Sequence, residues 1–243
     1  VSVDDTVIMH PLVTSGLCPA CRAGQDSHCS NSRFPGLNAD GGMAEFLKTN
    51  ARAVVKLDAS LQPKGIAALA DAGLTAYHAV RKAAKWLFPG SYVVVIGSGG
   101  LGHIGLQSLV ALTSAHITLL IFEKALELAK SLCAHETVLS GGDEATLDQV
   151  QEITGGGADV IFDFVGEQGM EKVGPRMLKG RGDYYVIGCG GNVDLLTIDI
   201  ISQEINVIGN QVGTYQDLVE LMTLTAEGKI SQTTAGYPLE AYA

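Results

Sequence analysis

From position 92 onward the apolar residues gather into short runs separated by longer amphipathic stretches, and this alternation predicts most of the secondary structure. Tyr92-Val-Val-Val-Ile96 is a continuous, largely β-branched run, the pattern of a strand covered on both faces. The spacing then predicts a helix over 101–112, a strand over 117–122 and a helix over 124–133. Further strands are predicted over 160–164, 184–187 and 205–208, with helices near 144–153 and 169–178 between them. Strands joined by helical segments of this length need right-handed crossovers, so the fold class is α/β, with a doubly wound parallel sheet. The first 58 residues read differently. They are rich in turns, and short apolar pieces at 6–9, 44–47 and 53–57 predict a small β-rich unit. Residues 58–84 turn helical, with Pro63 near a helix start. A last helix is predicted over 215–227, ended by Gly228, and the remainder is read as extended to Ala243 without a terminal helix.

At 243 residues and 25.4 kDa the chain suits one large domain or two small ones. Apolar residues at 47% against 17% charged place it among globular chains rather than disordered ones. Sixteen Lys and Arg stand against 26 Asp and Glu, a formal charge of −10, and no basic stretch escapes that average. Nucleic acid and anionic lipid are therefore not expected partners, since both require a basic patch. No apolar run reaches the length of a membrane span, and Asp4 and Asp5 stand where a secretory signal would be positive. The five cysteines are odd in number and three fall within twelve residues, which suits metal binding in a reducing compartment better than a disulfide framework. A cytoplasmic location is the expectation.

Two motifs carry chemistry. Gly97-Ser98-Gly99-Gly100-Leu101-Gly102 lies directly after a predicted strand and directly before a predicted helix. In that context the glycines allow a tight turn, close approach of backbone to a pyrophosphate, and tight helix–strand packing. The helix N-terminus adds free N–H groups and partial positive charge. The plain alternative is a glycine-rich turn with no ligand. The fingerprint also expects an acidic residue about 20 positions on, to hold the adenosine ribose. Leu120 or Ile121 falls there, with Glu123 slightly late, and no Arg stands beside it to favour a 2′-phosphate. NAD is favoured on this ground, and NADP stays open.

The second motif is Cys18-Pro-Ala-Cys21 with Cys29, and Ser15 three residues ahead of Cys18. Structural zinc takes four Cys or His ligands in a tetrahedron. Three thiolates completed by water, the Ser15 hydroxyl or His28 would make a weaker site, and the alternative is a metal-free loop of the same shape. In either case the lobe is structural, because a closed site has no open position for substrate.

Together these stretches resemble the zinc-dependent medium-chain alcohol dehydrogenases, especially the bacterial secondary-alcohol dehydrogenases. The resemblance runs through Gly16-Leu-Cys-Pro-Ala-Cys-Arg-Ala-Gly24 with Cys29, Gly41-Gly-Met-Ala-Glu45, Leu69-Ala-Asp-Ala-Gly-Leu-Thr-Ala-Tyr77, Val95-Ile-Gly-Ser-Gly-Gly-Leu-Gly-His103 and Phe162-Asp-Phe-Val-Gly166. It covers nearly the whole chain in the family's order. It implies a partial GroES-like catalytic domain over 1–72 with the zinc lobe, a Rossmann domain over 73–212, and a return segment over 213–243. It implies hydride transfer between a small or aryl secondary alcohol, or its ketone, and NAD, with zinc polarising the alcohol oxygen, in a homodimer or homotetramer built on the outer strand near 205–208.

Residue by residue, Asp71 resembles the family's carboxylate ligand of the catalytic zinc; the plain alternatives are a helix cap or a buried acid paired with Arg81. Cys18, Cys21 and Cys29 resemble the lobe's ligands. Thr75 resembles a residue touching the nicotinamide, and Ile187-Gly188, Gly209-Asn210 and Gly213-Thr214 resemble backbone lining its ring. Gly97, Gly99, Gly100, Leu101 and Gly102 resemble the pyrophosphate turn. The family's first two catalytic zinc ligands precede the stretch with which this sequence begins, so the chain is expected to be a piece of the enzyme. That role is not carried to His10, and the proton relay is not carried to His78 or His103. Two rivals stay open: a zinc-free quinone or enoyl reductase of the same superfamily, and a dinucleotide-binding protein without catalysis. Cys133 and Cys189 are expected to be small buried apolar residues.

Overall fold

The computed structural model of the protein describes residues 1–122 and 134–242. The chain divides into two compact units, Val1–Leu74 with Val212–Ala243, and Thr75–Gln211.

In the first unit, β1 (Val7–Met9) pairs antiparallel with β2 (Val54–Lys56), Ile8 lying opposite Val55. Ile8, Val54, Val55, Leu57 and Leu69 are buried and form its small core. The piece at 44–47 is not a strand: it runs through bends, and Phe46 is 89% exposed. A strand needs a hydrogen-bonded neighbour, and none pairs with this segment among the described residues. Pro63 opens a single helical turn, Pro63–Ile66, as its fixed φ and missing N–H allow at a first helical position. A 3-10 turn Ala67–Ala70 and the helix Ala72–Ala84 follow.

The helix Tyr215–Ala226 is started by a capping box. Asp217 N–H donates to Thr214 Oγ1 (3.2 Å), and Thr214 N–H donates to Asp217 Oδ2 (2.7 Å). Past its end Gly228 takes a positive φ of 72°. The tail departs from the reading as fully extended, because Leu239–Tyr242 forms a 3-10 turn.

The second unit holds β3 (Tyr92–Ile96), β4 (His116–Ile121), β5 (Glu136–Leu139), β6 (Ala158–Asp163), β7 (Leu178–Val186) and β8 (Asn206–Gly209). They form one parallel sheet in the order β5-β4-β3-β6-β7-β8. Alternate side chains on each strand enter opposite faces, and both faces are filled. Val93, Val95, Leu119 and Phe162 pack with Ala79, Val80, Leu106 and Leu109. Val94, Ile96, Leu120, Ile161 and Tyr184 pack with Leu147, Val150 and Met170. Covering on both sides is why the strands read as unbroken apolar runs rather than alternating ones.

Three elements depart from the sequence reading. β5 was not expected: of Glu136-Thr-Val-Leu only Val138 is buried, so this edge strand carries little apolar signal. The helix expected over 169–178 is the short Met170–Val173 followed by a 3-10 turn Gly174–Met177, since Pro175 cannot donate to the helical ladder. The helix Thr197–Gln203 was also unread, because none of its residues is buried and of its apolar side chains only half-buried Ile200 packs against the core. The helix expected over 124–133, with Cys133, lies outside the described residues. Among the described residues no helix is long and apolar enough to cross a membrane.

Candidate functional site

The chain leaves β3 outward through β4 and β5, then returns to place β6 on the other side of β3. The carboxyl ends of β3 and β6 therefore flank the point where strand order reverses, the place where open α/β sheets take ligands. The glycine turn sits there. Gly97 takes a φ of 89°, which L-residues with a Cβ rarely adopt, and its N–H donates to Leu120 O (2.9 Å). A Cβ on Gly102 would lie 1.9 Å from Gly97 O, so the helix Gly102–Leu112 can begin against the strand only with glycine there. Gly99 and Gly100 are the opposite case, with nothing within 4 Å of where a Cβ would stand.

The turn thus presents an open cradle at the N-terminus of an eleven-residue helix, whose first turn is closed by His103 N–H on Gly99 O and by the Ile104 and Gly105 N–H groups on Leu101 O. Ser98, in the same turn, is 3% exposed, and its Oγ has no hydrogen-bond partner among the described residues. Leaving a buried hydroxyl unpaired costs about 1–3 kcal/mol, which a phosphate oxygen would relieve. The residues present fit a dinucleotide pyrophosphate.

Loops from the neighbouring strands complete this end of the sheet. Asp163, the last residue of β6, is 1% exposed; its Oδ1 accepts from the N–H groups of Val165 (2.9 Å) and Gly166 (2.8 Å). Its backbone carbonyl accepts from Ile187 (3.0 Å) and Gly188 (2.9 Å), the pair expected to line the nicotinamide. Phe164 packs so closely on the helix that a Cβ at Gly105 would meet its ring at 2.5 Å. Gly209 ends β8, and its carbonyl accepts from Lys82 Nζ (3.1 Å). The next residue, Asn210, donates from Nδ2 to the carbonyl of half-buried Thr75 (3.0 Å). Asn210 Oδ1 is buried without a partner among the described residues. Thr75, Ile187, Gly188 and Gly209 therefore belong to the same unit as the glycine turn, joined to it through the sheet. Leu120 and Ile121 point into the core and offer the ribose nothing, while Glu123 lies outside the described residues.

Gly213 belongs to the first unit, where its carbonyl accepts from His10 Nε2 (2.9 Å). His10 Nδ1 lies 3.1 Å from Leu12 O and 3.2 Å from Leu12 N, so both ring nitrogens have backbone partners. Sequence reasoning gave His10 no role; the only signal was a histidine beside a strand end. Asp71 lies between the 3-10 turn and the helix Ala72–Ala84, flanked by half-buried Ala70 and Ala72, and partial loss of surrounding water raises its carboxyl above the ordinary range. It joins no group of three or more metal-binding side chains among the described residues, and one carboxylate does not hold a zinc ion.

Such a group does exist in the cysteine lobe. Cys18 is the N-cap of the turn Pro19–Arg22, Cys21 lies within it, and Cys29 follows the 3-10 turn Asp26–His28. Their sulfurs all lie within 4.8 Å of one another, Cys18 and Cys21 at 3.5 Å. The Cys21 N–H holds the Cys18 thiol down to about 6, and the Ser15 hydroxyl holds Cys29 below the usual thiol range, whereas burial pushes Cys21 up. The lobe is tied to the helix Tyr215–Ala226 by Tyr215 N–H, which donates to buried Asp26 (3.1 Å). His28 is exposed and outside the sulfur group. Cys189 is exposed, contrary to the expectation of burial, because it lies in the loop after β7 beside Gly190 and Gly191, which are exposed with it.

Residues 100–227 match the family described as zinc-binding dehydrogenase, and residues 1–59 match the alcohol dehydrogenase GroES-like domain. A NAD-dependent alcohol dehydrogenase from Sulfurisphaera tokodaii is 33% identical over 94% of this chain and 66% of its own length. The crystal structure of an alcohol dehydrogenase from Aeropyrum pernix superposes with a TM-score of 0.92 at 44% identity, over 98% of this chain and 70% of that one. The D-arabinose dehydrogenase from Sulfolobus solfataricus superposes with a TM-score of 0.89 at 30% identity, over 99% of this chain and 75% of that one. The chain spans about two thirds of the length of the curated relatives it matches. A Rossmann-type sheet of order β5-β4-β3-β6-β7-β8, carried with a GroES-like unit bearing a cysteine lobe, places this chain in the zinc-binding, medium-chain alcohol dehydrogenase family.

Proposed function

We propose that the chain binds NAD on the turn after β3 and serves in hydride transfer between a secondary alcohol and its ketone. The observation that carries this reading is the open cradle at Gly99 and Gly100, next in sequence to the buried, unpartnered hydroxyl of Ser98. Likeness to NAD-dependent alcohol dehydrogenases supports the choice of cofactor and reaction.

NAD, when bound, supplies the hydride acceptor: the alcohol loses a hydride from carbon and a proton from oxygen, and the products are ketone, NADH and a proton. The chain's own residues bind and orient. The helix at Gly102 offers N–H groups and a partial positive charge to the pyrophosphate, and Ser98 donates to a phosphate oxygen. Thr75, Asn210 and the Ile187-Gly188 backbone face the nicotinamide end, where holding the reactants in one geometry lowers the barrier by several kcal/mol, up to about 7–11 in the best cases. Cys18, Cys21 and Cys29 hold a structural zinc ion. Asp71 would be one ligand of a catalytic zinc, which would supply a Lewis acid for the alcohol oxygen; the described residues do not complete that set. β8 is the sheet's outer strand with Val207 exposed, which supports assembly of a homodimer or homotetramer through that edge.

Titration of the purified chain with NADH, followed by fluorescence, tests the cofactor reading. Saturable binding that Gly102→Ala abolishes is expected; absence of binding by the correctly folded chain overturns it. NADH formation from a panel of primary and secondary alcohols then tests the reaction.

A further inference from the structure

We infer that Ser15 supplies the fourth corner of the metal site in the cysteine lobe, giving zinc three sulfurs and one oxygen. The inference rests on the proposal that the lobe holds zinc and is independent of the dinucleotide reading.

Geometry carries it. Zinc bonds sulfur at about 2.3 Å and oxygen at about 2.0–2.2 Å, so a tetrahedron has sulfur–sulfur edges near 3.8 Å and oxygen–sulfur edges near 3.6 Å. In the lobe, Cys18 and Cys21 sulfurs are 3.5 Å apart, and Ser15 Oγ lies 3.4 Å from Cys29 Sγ and 3.9 Å from Cys21 Sγ. The hydroxyl therefore stands at tetrahedral-edge distances from two of the three sulfurs before any ion arrives.

The backbone holds it there. Ser15 N–H donates to Cys29 Sγ (3.3 Å), and Leu17 N–H donates to Ser15 Oγ (3.3 Å), which takes one lone pair and leaves the other for a metal. The rival ligand, His28, is exposed and outside the sulfur group. A serine oxygen is a poorer zinc ligand than a thiolate, so the ion in this lobe is held more weakly, and exchanges more readily, than in a four-cysteine set.

The test uses the 243-residue chain and its Ser15→Ala and Ser15→Cys variants, loaded with zinc or with cobalt as the spectroscopic stand-in. The expected result for the parent chain is one equivalent of zinc and a tetrahedral cobalt spectrum with three-thiolate charge-transfer intensity. Ser15→Cys raises that intensity by about a third, from three sulfurs to four, and slows removal of zinc by a chelator about tenfold or more. Ser15→Ala moves the cobalt d–d bands and weakens zinc about tenfold, with far-ultraviolet circular dichroism unchanged. Identical affinity and identical cobalt bands in the parent and Ser15→Ala overturn the role of Ser15. If neither the parent nor Ser15→Cys takes up metal, the zinc reading of the lobe itself fails.

Discussion

Tyr184 donates its hydroxyl to Asp163 Oδ2 at 2.5 Å, with both side chains buried between the sheet and its helices. The other oxygen of Asp163 holds the Val165 and Gly166 N–H groups, and its carbonyl holds those of Ile187 and Gly188. One residue thereby pins the loops after β6 and β7 to each other, at the end of the sheet that carries the glycine turn. Tyr184→Phe removes the donor to one carboxylate oxygen and leaves it buried without a partner, at a cost of about 1–3 kcal/mol. A lowered urea midpoint at unchanged slope, together with weaker NADH binding, is the expected outcome. Asp163→Ala, which takes the acceptor from two N–H groups and from the Tyr184 hydroxyl while keeping the backbone carbonyl, costs more on both measures.

The glycine turn offers a paired test of ligand against fold. Gly102→Ala forces a Cβ against Gly97 O at 1.9 Å, so both stability and NADH binding fall. Gly99→Ala enters open space at a φ outside the left-handed region, so stability stays within about 0.5 kcal/mol of the parent. NADH affinity drops all the same, because the methyl group occupies the cradle. Equal NADH affinity in Gly99→Ala and the parent would count against the cradle as the cofactor's seat.

Alkaline stability follows from two buried tyrosines. Burial, and then the neighbouring Asp183, pushes Tyr185 up to about 12, and burial with Asp163 pushes Tyr184 higher still. Below pH about 10 folded and unfolded chains both hold these protons and stability is fully present. Above it the unfolded chain ionises first, so stability falls as pH rises toward 12, by about 1.4 kcal/mol per pH unit for each tyrosine. Denaturant midpoints measured from pH 9 to 12 should show this slope, and Tyr185→Phe should halve it.

His10 joins residues 203 positions apart through Gly213, while Leu12 N–H fixes its ring. His10→Phe keeps the volume but orphans a buried carbonyl and an N–H, for a loss of about 2 kcal/mol. Limited proteolysis reports it directly: tryptic cleavage after exposed Lys229 should accelerate in the variant.

Much of this molecule was legible in the chain itself. The β-branched runs of β3, β4 and β6 and the helices between them determined a parallel sheet, because parallel strands need crossovers and burial on both faces. The glycine turn was legible for a local reason, since its meaning lies in backbone conformation and in the strand and helix on either side. Elements with little buried apolar surface, β5 and Thr197–Gln203, left no such trace. Phe46 misled because an apolar residue signals a strand only when some neighbour pairs with it. Tertiary structure alone decided which polar atoms meet: Asp163 with Tyr184 across two strands, His10 with Gly213 across most of the chain, and Ser15 with the three sulfurs. A hydrogen bond or a ligand tetrahedron depends on distances of a few ångströms between residues far apart in sequence, and pattern along the chain holds no record of those distances.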